Sequence, residues 1–166
     1  MSEVIYLHGL ESGPGGGKAR WLRDHFGGVA VDLDTSAARA SKAAADARDA
    51  PWDHRCPDLE AAFTVPMQRA RAAITSDTKL VIGSSFGGAV LMNLVHEGSW
   101  SGPCLFIASA GTKLTGHSSL PAATRAILLH GRHDDIVPLE DSRRVAAAGD
   151  LGVQLWEIGD GHRMKA

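Results

Sequence analysis

The sequence has only two cysteines, Cys56 and Cys104, and neither sits in a metal-binding or redox spacing. Cys104 lies within an apolar run and is expected to be a core residue. No apolar run approaches the roughly 20 residues that would span a bilayer. The opening residues, Met1-Ser2-Glu3-Val4-Ile5-Tyr6-Leu7, have no basic region and no long apolar stretch, so a secretory signal is not expected and the expected compartment is the cytoplasm. Charge of one sign is lacking too. A formal net charge of -2 gives no reason to expect nucleic acid or an anionic membrane as partner. Internal repeats are absent, and no linker separates two apolar cores. The 166 residues, 44% of them apolar, are therefore read as a single domain large enough to bury a core.

What is present is a rhythm of short apolar runs alternating with longer helical stretches. The runs at 4–7, 29–33, 80–82, 104–108, 126–129 and 153–158 read as strands. They are continuously apolar rather than alternating, as parallel strands covered on both faces must be. Helices are expected at 18–26, 59–74, 88–96 and 139–148. The repeated strand-helix order implies right-handed crossovers and an α/β architecture, a three-layer doubly wound sheet of about six parallel strands. Residues 35–48, rich in Ala, Arg, Lys and Asp, read as a partly exposed helix. Residues 111–124 read as a polar loop.

The most informative segment is Gly83-Ser84-Ser85-Phe86-Gly87, a Gly-x-Ser-x-Gly pattern between the third strand and a helix. A serine on so sharp a turn sits in a strained backbone conformation with its hydroxyl raised above the sheet edge. Ser85 is thus a candidate nucleophile, although Ser84 or Ser85 could equally serve as a helix cap. A hydroxyl needs a base to take its proton, and the base needs an acid to orient it. In this arrangement the chain order is serine, acid, histidine. The acid is expected at the end of a later strand, where His130-Gly131-Arg132-His133-Asp134-Asp135 follows residues 126–129. Asp134 is the candidate, with Asp135 left to face solvent. The histidine is expected after the next strand, where Asp160-Gly161-His162 follows residues 153–158. All three then stand at carboxyl ends of parallel strands, where open α/β sheets place their sites.

An oxyanion hole is expected from two backbone amides, those of Leu10, after the first strand, and Phe86, after the nucleophile. Around the first of these, His8 and Gly9 are candidate substrate contacts, though His8 also fits a role bracing the loop. His117 is a further candidate, since its loop has the reach to overhang the site. The Gly-rich stretch ending in Gly17-Lys18 fails as a phosphate loop twice over, because Ser12 stands where glycine is required and Ala19 where serine or threonine is. His130, His133, Asp134 and Asp135 lack metal-ligand spacing. No metal and no cofactor are expected.

These landmarks resemble the α/β-hydrolase superfamily. The resemblance rests on His8-Gly9, the turn at Ser85, Asp134 with Val137-Pro138, and Gly161-His162, which span nearly the whole chain in the family's order. The opening Tyr6-Leu7-His8-Gly9-Leu10-Glu11-Ser12-Gly13-Pro14 is also similar to that of short, lidless YqiA-like bacterial esterases. The resemblance implies an acyl-enzyme on Ser85, with His162 as general base and then acid, and Asp134 holding the imidazole. It also implies a minimal form of the fold. The antiparallel hairpin that opens larger members is missing, residues 111–124 are too few for a cap domain, and the final helix has no counterpart after His162. The expected function is hydrolysis of small carboxylic esters or thioesters by a monomer with an open site. A serine peptidase or amidase on the same triad, and a non-catalytic small-molecule-binding protein of the same fold, are the alternatives.

Overall fold

A computed structural model describes residues 3–164; Met1, Ser2, Lys165 and Ala166, on which the readings of the leader and the tail partly fall, lie outside the described residues. The elements in order are β1 (Val4–Leu7), α1 (Gly17–Phe26), β2 (Val29–Val31), α2 (Ser36–Ala47), α3 (Leu59–Ala62), α4 (Thr64–Ala73), β3 (Leu80–Ser84), α5 (Phe86–His96), β4 (Cys104–Ile107), α6 (Gly111–Thr115), β5 (Ala126–Gly131), α7 (Leu139–Ala148) and β6 (Val153–Ile158). The six strands form one sheet in the order β2-β1-β3-β4-β5-β6, parallel at every pairing. No cap domain is inserted among the described residues. No described helix is long and apolar enough to cross a membrane.

Strand order decides where a site can form. The chain runs outward from β1 to β2 and then crosses back to place β3 on the other side of β1. The crevice between the carboxyl ends of β1 and β3 is therefore the switch point at which open α/β sheets bind ligands. The period-2 alternation of each strand divides the apolar residues between two faces. Ile5, Leu7, Val81, Phe106 and Leu128 join the larger core, which buries α5 almost completely. Tyr6, Ile82 and Ile107 face the other way and meet Ala19 and Leu22 of α1.

Three expectations need correction. The helix expected at 59–74 is two helices, because a continuous one would require Pro66 to donate to the Ala62 carbonyl, and proline has no N–H. Within α4 the same Pro66 falls in the first turn, where amides have no intrahelical acceptor anyway. The strand expected at 29–33 stops at Val31, and the Leu33 amide turns to the His8 ring, donating to Nε2 at 3.1 Å. The polar loop at 111–124 begins as the one-turn helix α6, anchored by buried Leu114 and stopped by Gly116 at φ 79°.

Candidate active site

Ser85 occupies the turn from β3 into α5 with φ 52° and ψ -113°. A non-glycine residue in this region stores on the order of 1–3 kcal/mol of strain, so the surrounding packing must hold it there. Hydrogen bonds do so on both sides. The Ser85 amide donates to the Ile107 carbonyl at 2.9 Å, and its carbonyl accepts from Gly88 at 2.9 Å and Ala110 at 3.0 Å. Only glycine fits at position 87, where any Cβ would run into the Leu7 carbonyl of β1. Position 83 is equally closed, with the Gly87 carbonyl oxygen 2.5 Å from where a Cβ would stand.

The hydroxyl so presented has a partner. Ser85 Oγ lies 2.9 Å from His162 Nε2, and His162 Nδ1 lies 2.8 Å from Asp134 Oδ2. The three residues arrive from the ends of β3, β5 and β6, although 77 residues separate Ser85 from His162. The Asp134 side chain is 0% exposed and that of His162 17%. Burial pushes the Asp134 carboxyl up, but hydrogen bonds from the Val137 amide, His162 and the Ile136 amide outweigh it and leave the pKa below the ordinary carboxylate value. The acid is thus held as an anion directed at the histidine.

The loop carrying His162 is fixed from beneath. Arg132 donates its amide to Ile158 at 2.8 Å and His133 to Asp160 at 3.1 Å, so the ends of β5 and β6 stay laced together past the sheet. Gly131 allows this approach, since a Cβ there would overlap the Asp160 carbonyl. Lys18 Nζ donates to the Arg163 carbonyl and ties the start of α1 to the same loop.

The sequence matches no family model and no curated protein. Solved structures do match. A protein described as a hydrolase of the alpha/beta superfamily, from Xanthomonas campestris pv. campestris, is similar with a TM-score of 0.69 at 24% identity, over 99% of this chain and 90% of its own. Alpha/beta hydrolase domain-containing protein 10 from mouse matches at 0.65 and 16% identity, over 98% of this chain and 82% of its own. Est1E from Butyrivibrio proteoclasticus matches at 0.63 and 13%, over 98% and 80% respectively. The chain has the α/β-hydrolase fold.

In this α/β-hydrolase fold the loop after β1 lies against Ser85: a Cβ on Gly9 would stand 3.6 Å from Ser85 Cβ. Two side chains hold the successive peptides on either side of the Leu10 Cα. His8 Nδ1 lies 2.8 Å from the Gly9 carbonyl and Thr35 Oγ1 donates to the Leu10 carbonyl at 2.8 Å. Because the Leu33 amide donates to His8 Nε2, the ring must carry its hydrogen on Nδ1 and donate it to Gly9. A peptide's C=O and N–H point in opposite directions, so drawing the Gly9 carbonyl toward His8 turns the Leu10 N–H away from that ring. The Phe86 amide is the first of α5 and so has no acceptor within the helix.

Two of the candidate substrate contacts are corrected by this geometry. His8 is 2% exposed with both ring nitrogens engaged, so it braces the loop and has no nitrogen left for substrate. His117 does not overhang the site. The left-handed turn at Gly116 carries it to the far end of α5, where it stacks on His96 with ring centroids 3.6 Å apart. That end is about 16 Å along the helix from Ser85. The Phe86 ring lines nothing open either, being buried and stacked on Phe63 at 5.2 Å. One residue carried no role in the sequence reading beyond a spacing landmark. His130, on β5, is fully buried beneath Asp134.

Proposed function

We propose that this protein is a serine hydrolase that cleaves small carboxylic esters through an acyl-enzyme on Ser85. The observation that carries the reading is the unbroken hydrogen-bond path from Ser85 Oγ through His162 to Asp134, at 2.9 and 2.8 Å. In the first half-reaction Ser85 Oγ attacks the acyl carbon as its proton passes to His162 Nε2. The carbonyl becomes an oxyanion, for which the Leu10 and Phe86 amides are the donors, together contributing about a few kcal/mol. Collapse expels the alcohol, which leaves with the proton from His162. Water then repeats the sequence on the acyl-enzyme and releases the acid. Asp134 keeps the hydrogen on His162 Nδ1, so that Nε2 faces the serine with its lone pair. The uncapped fold favours short, accessible esters over substrates that require an enclosed channel.

A fluorophosphonate probe tests the reading directly. Wild-type protein should be labelled on Ser85 and should hydrolyse an activated short-chain ester, while folded Ser85→Ala should do neither, with a rate at least roughly 10³-fold lower. Undiminished hydrolysis by Ser85→Ala would overturn the assignment of the nucleophile. Preference for an aminoacyl amide over the matching ester would move the function to the amidases.

A further inference from the structure

Thr35 stands where a helix cap is expected and does not cap. It is the residue before α2, a position at which a threonine hydroxyl commonly accepts from an amide of the first turn. Here it makes no such bond, and the Ser36 amide and hydroxyl go instead to Asp34 Oδ1, at 3.3 and 2.6 Å. The Thr35 hydroxyl reaches back 25 residues in sequence and donates to the Leu10 carbonyl at 2.8 Å. Thr35 is buried, and its own carbonyl accepts the first bond of α2, from the Arg39 amide at 2.8 Å, so the hydroxyl is a fixed point. Behind it α2 is fastened to the core by Ala38 and Ala45 and by Ser41, whose hydroxyl donates to Asp58 at 2.8 Å and accepts from Trp52 Nε1 at 3.0 Å. The loop on the receiving side is less secure. Leu10 leans its side chain on the larger core, but at Gly13 and Gly15 an added Cβ would meet nothing within 4 Å. The direction of the peptides around Leu10 is therefore left to hydrogen bonds.

We propose that Thr35 is a positioning residue for the oxyanion hole: by holding the Leu10 carbonyl it fixes the direction in which the Leu10 N–H points. The inference rests on the reading of the Leu10 and Phe86 amides as oxyanion donors. A peptide unit is planar, so its N–H and C=O can be redirected only by turning the whole unit. Two such units meet at the Leu10 Cα. The first carries the Gly9 carbonyl and the Leu10 N–H, and His8 Nδ1 holds it at 2.8 Å. The second carries the Leu10 carbonyl, and Thr35 holds it. With both held, the φ and ψ of Leu10 are fixed. Without the Thr35 hydroxyl the second unit is free to turn, and the first pivots with it about the single bond to His8. Among the described residues the Leu10 amide donates to no protein acceptor, so no bond of its own aims it. Oxyanion donors act by being aimed before the charge develops, and a donor that must be aimed anew gives up part of that gain. The uncharged carbonyl of bound substrate loses less, so the cost falls on kcat rather than on KM.

Thr35→Val replaces the hydroxyl with a methyl group of similar size, and Thr35→Ser keeps the hydroxyl. The final extent of fluorophosphonate labelling counts competent sites, so every rate is read per active site whatever fraction of the protein is folded. In Thr35→Val, kcat on an activated short-chain ester should fall roughly tenfold, less than the roughly 10² to 10³-fold of losing a donor outright, with KM within about twofold. A trifluoromethyl ketone gives a second reading. Ser85 Oγ adds to its carbonyl carbon, the hydroxyl proton passes to His162, and the carbonyl electron pair becomes an oxyanion in the hole. Its inhibition constant should rise roughly tenfold, in step with the loss of kcat. Thr35→Ser should bring both back to within about twofold of wild type. Wild-type kcat and inhibition constant in Thr35→Val would overturn the inference. So would a Thr35→Ser variant as impaired as Thr35→Val, or a fall in kcat with an unchanged inhibition constant, since the loss would then lie away from the oxyanion. If Thr35→Val does not fold, Thr35→Ala decides on the same readings. If neither folds where Thr35→Ser does, the hydroxyl is structural and the inference is overturned. A wild type that takes no label and cleaves no ester would sink the hydrolase reading itself, whereas an active wild type with an unimpaired Thr35→Val removes only the role of Thr35.

Discussion

Two pairs of histidines stand at opposite ends of α5 and share little beyond the residue type. At the N-terminal end, His162 and His130 flank one buried carboxylate, and His162 also reaches the Ser85 hydroxyl. At the C-terminal end, His96 and His117 lie face to face with an interplanar angle of 6°, and His96 Nε2 is 2.9 Å from the Ser119 carbonyl. No carboxylate is recorded on either ring of that second pair among the described residues. The same side chain is in one case a ring held between a carboxylate and a hydroxyl, and in the other a flat surface packed against its like. Under the proposed function, histidine chemistry here would come from the acid behind the ring and the hydroxyl in front of it.

The comparison breaks most visibly at the acid. Asp134→Asn should lower kcat by roughly 10³ to 10⁴-fold, because an amide in that position presents a donor to a ring that must keep its own hydrogen on Nδ1. Steady-state kinetics on an activated ester checks this, and a loss below about tenfold would show that His162 is oriented by something else. The same variant tests acid stability. The Asp134 pKa is lowered on folding, so its contribution is present above the ordinary carboxylate range near pH 4 and disappears as the pH falls through the folded value. Unfolding curves of Asp134→Asn should lack that acid-side decline.

The two ends of α5 also differ in how far sequence could describe them. The six strands follow from continuous apolar runs, and the proposed nucleophile from glycines at 83 and 87 on a strand-to-helix turn. Those signals are local. Asp134 and His162 become legible once strand order is assumed, because each ends a strand of a parallel sheet. The direction taken by residues 116–120 does not, since one left-handed glycine, Gly116, decides whether His117 approaches Ser85 or leaves it. Helix α6 is hidden for a related reason: five residues with Leu114 as their deepest apolar anchor carry no period to detect. Pro66, in contrast, was a visible break that the apolar pattern over 59–74 concealed. His130 was visible as a letter, but its burial and its contact with Ser142, 12 residues away on another element, depend on β5 running to Gly131.

A smaller effect is expected from the support of His162 than from its acid. In Gly131→Ala the new methyl would meet the Asp160 carbonyl, and the loop at 160–162 must give way because the clash is with backbone. Under the proposed mechanism, a displacement on the scale of 1 Å between His162 and Ser85 should lower kcat by roughly 10 to 10²-fold. The crowding should also cost about 1–3 kcal/mol of stability. Turnover and thermal melting read the two effects separately. Wild-type kcat with a lowered melting temperature would mean that the loop moves as a body and carries His162 with its partners.

The last test concerns the other pair and predicts almost nothing for catalysis. His117→Gln should leave kcat and KM within about twofold of wild type, since the ring stands about 16 Å along α5 from Ser85. Its effect belongs to stability. Burial, and then the neighbouring His96, lower the His117 pKa below its ordinary value near 6.5. A base that is harder to protonate when folded favours the folded state above its unfolded pKa. That advantage is lost as the pH falls through about 6.5 toward the folded value, where the unfolded chain binds the proton more readily. Wild-type stability should therefore decline over this window, and His117→Gln should flatten the decline, with a change at neutral pH within about 0.5 kcal/mol. Chemical denaturation at pH 5, 6 and 7.5 measures the slope. A His117→Gln variant with wild-type stability at every pH but a tenfold loss of turnover would bring the two ends of α5 into one functional unit, and the distinction between a ring with an acid behind it and a ring with only a ring beside it would fail.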